Sequence, residues 1–391
     1  MIDIKNPEDC CGCYSCVQRC PKNCINMIED LEGFDYPKVN TSSCVNCGIC
    51  ESVCPQLHNL PLKIPLSCYA AKHRSKQVQL KSSSGGVFSS LAEYVLNNNG
   101  VVFGAAFDKN WNVFHKYIEH IEQLDELRMS KYVQSTIGNS YKEAQSFLQT
   151  NRMVLFVGTP CQIHGLKLFL KKDYKNLLAV DFVCHGVPSK KVWQKYLKEC
   201  IIRKIKFPIQ NIQFRNKRLS WETYTFTIQV DSTKSTKNNK NNSSLTPSNV
   251  SNEDINETLH KNPFLRGFIH DLYLRPSCYT CKNKGFSSGS DITLADFWGI
   301  KETYPHLFDK NGVSCLTVNT SQAKEYLAQI DIEKNQVKFE DALRFNPSFI
   351  NSVKCPPFRK YFFKLMNKIE FKLLVLFGQV YNKMLRILKI D

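Results

Sequence analysis

Two stretches of this sequence share one spacing. Cys10, Cys13, Cys16 and Cys20 read C-x2-C-x2-C-x3-C with Pro21 directly after, and Cys44, Cys47, Cys50 and Cys54 repeat the run before Pro55. No other feature constrains the fold as strongly, because thiolates at these intervals must converge on metal. In the bacterial two-cluster pattern the first three cysteines of a run hold three irons of a 4Fe-4S cube, and the fourth reaches across to the other cube. The predicted cages are therefore Cys10, Cys13, Cys16 and Cys54, and Cys44, Cys47, Cys50 and Cys20. Zinc also takes Cys-x2-Cys pairs, but its ribbons use two separated pairs rather than three equally spaced thiolates and a displaced fourth. Disulfides suit a small secreted domain, whereas 391 residues allow ample core and roughly two or three domains. Cys11 and Cys24 fall outside the register and are read as spectators.

An apolar content of 42% fits a soluble globular chain. The opening "MIDIKNPED" has neither a basic n-region nor an apolar h-region, so a cytoplasmic protein is expected. A reducing compartment suits eighteen cysteines used as ligands. The formal charge of +17 invites nucleic acid, since clustered Lys and Arg release counterions from phosphate. Two cubes at about −2 each lower the sum to about +13, and no helix-turn-helix, zinc finger or RNP motif accompanies the charge, so nucleic acid is not expected as a partner.

Residues 1–60 read as the dicluster module, with "INMIEDLEGFDYPKV" as a hairpin turning near Gly33. Residues 61–67 form a proline-punctuated linker. From 68 to 230 short apolar runs such as "GVVFGAAF", "RMVLFVG" and "NLLAVDFVC" alternate with helical spacing in "GVFSSLAEYVLNNNG" and "QIHGLKLFLKKD". Residues 231–257 are polar and low in complexity and read as a disordered insert. Residues 258–356 complete the domain. Residues 357–391 read as a basic amphipathic helix, with Lys360, Lys364, Lys368 and Lys372 beside Phe362, Leu365, Ile369, Leu373, Leu376 and Val380. The favoured reading packs that helix on its own domain with lysines in solvent; the other docks it to an acidic protein or, peripherally, to a membrane. The fold class is α+β: a ferredoxin-like module, a larger mixed α/β domain and a C-terminal amphipathic helical segment.

The second half carries chemistry of its own. Cys161 in "FVGTPCQIHGL" and Cys184 in "VDFVCHGVPS" follow strands, and "RPSCYTCKNK" supplies Cys278 and Cys281. Strand ends on one edge of a sheet converge, so these four either ligate a third cube or pack as small apolar residues. Ser84, Gly85 and Gly86 precede a helix, where free N–H groups suit a phosphate or merely cap the helix. "GTPC" is not GxGxxG, so no dinucleotide fingerprint is present. His185 and Asp296 read either as proton carriers or as ordinary hydrogen-bonded side chains.

In their order, "SSGGVF", "SKYVQS", "FVGTPCQIHGLKLFL", "VDFVCHGVPS", "CYTCKNK", "SDITLADFWG" and "NPSF" resemble the coenzyme F420 hydrogenase/dehydrogenase beta-subunit family with a fused two-cluster ferredoxin. The resemblance runs from Cys10 to about Lys364. It implies a flavin-dependent oxidoreductase whose larger domain binds FAD, with Ser84, Gly85 and Gly86 on its phosphates and Ser130, Lys131, Tyr132, Gly158 and Thr159 near the cofactor. It also implies that Cys161, Cys184, Cys278 and Cys281 hold a third 4Fe-4S cluster. A ferredoxin or another redox partner and a small two-electron substrate are implied, in a setting of polysaccharide or cell-envelope biosynthesis. The alternative is a non-enzymatic electron carrier or adaptor subunit of a larger complex.

Overall fold

A computed structural model of the chain describes residues 1–231 and 254–388; most of the polar insert lies outside them. The N-terminal module is built from two near-copies of one bend. In each cysteine run the residues either side of the second cysteine take left-handed backbone: Gly12 and Tyr14 in the first, Asn46 and Gly48 in the second. The chain thereby curls around a centre, and the N–H groups of Gly12 and Asn46 donate to the sulfurs of Cys10 and Cys44, each at 3.4 Å. Short helices Ser15–Arg19 and Ile49–Ser52 follow the bends. Between the runs β1 (Ile25–Glu29) and β2 (Asp35–Val39) pair antiparallel, turning at Gly33, whose φ of 86° a side chain would resist.

Strands β3 (Ser67–His73), β4 (Val101–Phe107), β5 (Val113–Ile118), β6 (Val154–Gly158) and β7 (Leu177–Phe182) open the larger domain. A separate antiparallel sheet holds β8 (Ile209–Asn216), β9 (Thr225–Val230) and β10 (Ile255–Thr258). Then β11 (Ile292–Asp296), β12 (Ser314–Val318) and β13 (Ile332–Val337) join the first group. The resulting eight-stranded sheet runs β13-β3-β12-β11-β7-β6-β4-β5. Its centre, β4-β6-β7-β11, is parallel, which is why these strands are apolar on both faces. Parallel register also sends the ends of β6 and β7 out on one edge, with Gly158 opposite Asp181. Helix Pro160–Leu170 starts there behind a Thr159–Gln162 capping box and a first-turn proline, both of which favour a sharp helix start.

The two parts share an interface rather than a free linker. Ser15 donates to Gly165 O at 2.8 Å, Gln18 Oε1 accepts from the N–H groups of Tyr141 and Lys142, and Lys63 N donates to Gly285 O. A Cβ at Gly165 would lie 3.0 Å from the Cys13 Cβ, so the glycine lets helix Pro160–Leu170 rest directly on the first cysteine run.

Two sequence expectations need correction. The polar insert is expected to run to residue 257, yet Ile255–Thr258 forms an edge strand, with Ile255 opposite Ile228; the alternating side chains of β10 suffice once β9 supplies the ladder. The C-terminal segment is not one helix but two, Arg359–Leu365 and Phe371–Leu388. The break shifts the helical phase, so Phe362 is buried while Leu373, Leu376 and Val380 are exposed, and Phe371, Leu374 and Val375 form the inner face instead.

Candidate redox site

Three cavities account for the three cysteine sets. The first is lined by Cys10, Cys13, Cys16 and Cys54 together with Cys11. The second is lined by Cys44, Cys47, Cys50 and Cys20 together with Cys24. The fourth cysteine of each run thus faces the cavity of the other run. The third cavity, at the outer ends of β6 and β7, brings together Cys161, Cys184, Cys278 and Cys281. All eighteen cysteines are unbridged. Among the described residues no three His, Cys, Asp or Glu side chains close on a single ion, whereas a cube spreads its thiolates around a larger core.

Electrostatics in the first and third sets suits such a group. Burial pushes the Cys16 thiol well above its ordinary range, and Cys13, Cys10 and Cys54 push it further. Burial does the same to Cys184, with Cys278 adding to it and Lys284 opposing. Four thiols that disfavour one another's ionisation need inserted positive charge to become ligands together, and iron supplies it. The protein adds its own: buried Arg275 donates to the carbonyls of Cys10 at 2.7 Å and Asp35 at 2.9 Å and to Gln134 Oε1 at 3.0 Å. Lys284 Nζ donates to Cys184 O at 2.7 Å and Ser348 O at 2.9 Å. Asn283 lines the third cavity, and its Nδ2 is a buried donor with no partner, a group that a cluster sulfide would satisfy.

Cys11 is placed between two of these sets. It lines both the first and the third cavity, and Cys13 and Cys161, with burial, hold its thiol well above the ordinary range. Cys11, read as a spectator, thus stands between the first and third sets without belonging to the four ligands of either. Cys24 sits 3.4 Å from Cys20, sulfur to sulfur.

A second constellation surrounds the Ser-Gly turn. Ser130 donates through both N and Oγ to Ser83 Oγ, at 2.7 and 3.0 Å, which joins two of the sequence-predicted segments. Lys131 Nζ donates to Arg128 O at 2.9 Å, and burial lowers its pKa to about 7. Tyr132 stacks on Phe268 at 4.8 Å. Lys217 Nζ ties the turn down, donating to the carbonyls of Gln79, Ser84 and Asn311. Gly85 is committed to packing: its N–H donates to Ser314 Oγ at 2.9 Å, and a Cβ would lie 2.4 Å from Ala71 O. Gly86, with φ of 92°, caps helix Val87–Asn97, its carbonyl accepting from the Ser89 and Ser90 N–H groups and leaving only the N–H groups before them without a carbonyl one turn back. Nearby, Arg215 pairs with Asp296 and lies over the Tyr224 ring at 4.5 Å. Its Nε and Nη2 are buried without partners, donors of the kind a phosphate or ring carbonyl satisfies. Gly158 and Thr159 belong to the third cavity's side, where Thr159 Oγ1 is 3.2 Å from Cys161 Sγ. His185 is held by Asp271 at 2.6 Å.

Residues 9–57 match the 4Fe-4S dicluster domain, and residues 151–343 match the C terminus of the beta subunit of coenzyme F420 hydrogenase/dehydrogenase. The chain belongs to the F420 hydrogenase/dehydrogenase beta-subunit family and carries an N-terminal dicluster domain. It is 26% identical over 202 residues to the coenzyme F420-dependent sulfite reductase of Methanocaldococcus jannaschii, covering 50% of this chain and 31% of that protein. It is 42% identical over 50 residues to a 7Fe ferredoxin of Hydrogenibacillus schlegelii, covering 12% of this chain and 58% of the ferredoxin. The chain thus spans 31% and 58% of the length of these two relatives. A chain of the F420-reducing [NiFe] hydrogenase complex of Methanosarcina barkeri aligns with a TM-score of 0.46 at 15% identity, covering 82% of this chain and 92% of that one. The chain carries an iron-sulfur dicluster domain and is related to F420-dependent oxidoreductase subunits. Among the described residues no helix is long and apolar enough to cross a membrane.

Several family-site residues carried no sequence signal. Arg275, Lys217 and Lys284 look like surface cations until the fold buries them, and Ser83 is only one serine in a run of three.

Proposed function

We propose that this chain is a flavin-dependent iron-sulfur oxidoreductase with three 4Fe-4S cubes and FAD. The cubes are assigned to Cys10, Cys13, Cys16 and Cys54; to Cys44, Cys47, Cys50 and Cys20; and to Cys161, Cys184, Cys278 and Cys281. The observation that carries this reading is the sharing of Cys11 between the first and third cavities, which makes the cysteine sets neighbours on one route. When bound, cubes carry single electrons and a flavin couples them to two-electron chemistry.

The chain's own residues have separable tasks. Arg275 and Lys284 hold positive charge where water is excluded, which favours an added electron on the ligand sets they touch. Gly86 and the start of helix Val87–Asn97 would hold flavin phosphate, with Arg215 offering its two free donors and Lys217 fixing the turn. Ser130, Lys131 and Tyr132 would border the flavin, and Gly158 and Thr159 would sit on its cluster-facing side. The substrate is a small two-electron donor or acceptor, the deazaflavin named for the relatives being the first to try. A ferredoxin-like partner is expected at the second cavity. No residue of the site speaks for a sugar substrate.

Anaerobic purification with iron, sulfide and flavin counted per chain tests the reading. About twelve irons, four for each of three cubes, and about one FAD are expected. About eight irons without flavin would leave an electron carrier or adaptor and overturn the proposal. Arg215→Ala should lower flavin content and leave iron unchanged.

A further inference from the structure

Helix Phe371–Leu388 presents two apolar faces, and only one of them is covered. Phe371, Leu374, Val375, Gly378 and Asn382 are buried against the larger domain. On the opposite side Leu373, Leu376, Phe377, Val380, Met384 and Ile387 are 44–70% exposed. Their spacing of three or four residues lays them along one stripe, about 20 Å long at 1.5 Å per residue. The helix cannot roll to hide it. A Cβ on Gly378 would lie 2.8 Å from Phe358 and 2.9 Å from Leu272, and Asn382 Oδ1 accepts from Phe358 N at 3.2 Å. The stripe faces outward because the inner face is locked.

Charge within the helix has one sign, with Glu370 the acidic residue just before it. The helix contains Lys372, Lys383 and Arg386 and neither Asp nor Glu. By the helical repeat these three lie along one edge of the stripe. At the other edge Tyr381 meets Tyr361 at 5.9 Å, and Lys360 Nζ stands 5.0 Å over the Tyr361 ring. Among the described residues no ion pair engages Lys360, Lys364, Lys368 or Lys383. A stripe of Leu, Phe, Val, Met and Ile with lysines on its borders is the pattern of a helix lying in the plane of a lipid interface. Lysines and arginines at such a surface gain from anionic headgroups.

We propose that the outer face of helix Phe371–Leu388 seats this protein on an anionic lipid bilayer. A second copy of the chain is the weaker occupant, because it would bring the same basic borders together. A proline-free helix pinned along its length also needs no refolding to bind.

Flotation of the full-length, cluster-loaded protein with vesicles tests this. Vesicles of phosphatidylcholine with about one third phosphatidylglycerol should carry the protein up the gradient, and phosphatidylcholine alone should carry at least about tenfold less. Lys372→Glu with Lys383→Glu, and separately Val380→Asn with Met384→Asn, should each lower binding about tenfold or more, with iron content and visible spectrum unchanged to show that the fold holds. The proposal is overturned if the protein ignores anionic vesicles, or if its binding survives both double substitutions. It is equally overturned if light scattering finds a dimer that Val380→Asn dissociates and that does not float.

Discussion

The two ferredoxin-type cages have the same ligand spacing and different surroundings. In the inner set Cys10, Cys13 and Cys16 are buried, and Arg275 reaches the backbone of Cys10 from the larger domain. In the outer set Cys47 is exposed and Cys44 is half-buried. A cluster dianion in the outer cage is stabilised by water, which any redox partner must be able to displace. One in the inner cage is stabilised by a fixed guanidinium, which works only while the two parts stay docked. On the proposed function one motif would serve two ends of a route: contact with a partner at the surface, and delivery toward Cys11 and Cys161 inside.

Losing one cage or the other should separate these roles most sharply. Cys13 lies against Gly165 of the helix that carries Cys161, so Cys13→Ser should loosen the interface as well as the cluster. A fall in Tm of roughly 10 °C or more is expected, because metal binding and folding are coupled. Cys47→Ser should remove about four irons with a Tm loss of only a few degrees. Equal losses from the two variants would refute the idea that the inner cage alone joins the parts.

Next in size is Arg275→Met. It keeps the apolar stem but abandons the carbonyls of Cys10 and Asp35 and the amide of Gln134, which are buried acceptors. A cost of about 1–3 kcal/mol is expected for each buried acceptor left unpaired. The inner cluster's reduction potential should move negative, since a positive neighbour has gone, and the outer one should stay put. Potentiometric titration followed by EPR reads both. A common shift of the two clusters would mean that Arg275 acts through the fold rather than on the inner cage.

How much of this could be read from the chain depended on how local the cause was. The two cages were legible because ligand spacing is a local property, and so were β4, β6, β7 and helix Pro160–Leu170, whose apolar runs and capping residues are contiguous. The third set needed the fold, since Cys161 and Cys184 meet only when β6 and β7 bring their ends to one edge, and Cys278 reaches them from the turn after Leu274. Arg275 and Lys217 were invisible because burial of a cation depends on what covers it. The place of Cys11 between two cavities was invisible for a related reason: Cys161 lies 150 positions away in sequence. The C-terminal faces were inverted because a single phase was carried through a break at residues 366–370.

The smallest effect expected concerns the hairpin that seats the module. Glu32, beside the turn at Gly33, takes a paired contact from Arg359, with Nη1 to Oε1 at 3.1 Å and Nη2 to Oε2 at 2.5 Å. Arg359 also donates to Leu274 O at 3.1 Å, so it keeps a partner when Glu32 is changed. The Glu32 side chain is 25% exposed, and solvent screening limits the pair to about 1 kcal/mol. Glu32→Gln should therefore lower Tm by about 2 °C and leave iron content and both potentials unchanged. Hydrogen exchange should quicken in β1 and β2 but not around Cys44 to Cys50, because only the inner half of the module leans on this contact. Faster exchange across both halves would mean that the outer cage is also held by docking, and the contrast between the cages would then be one of exposure alone.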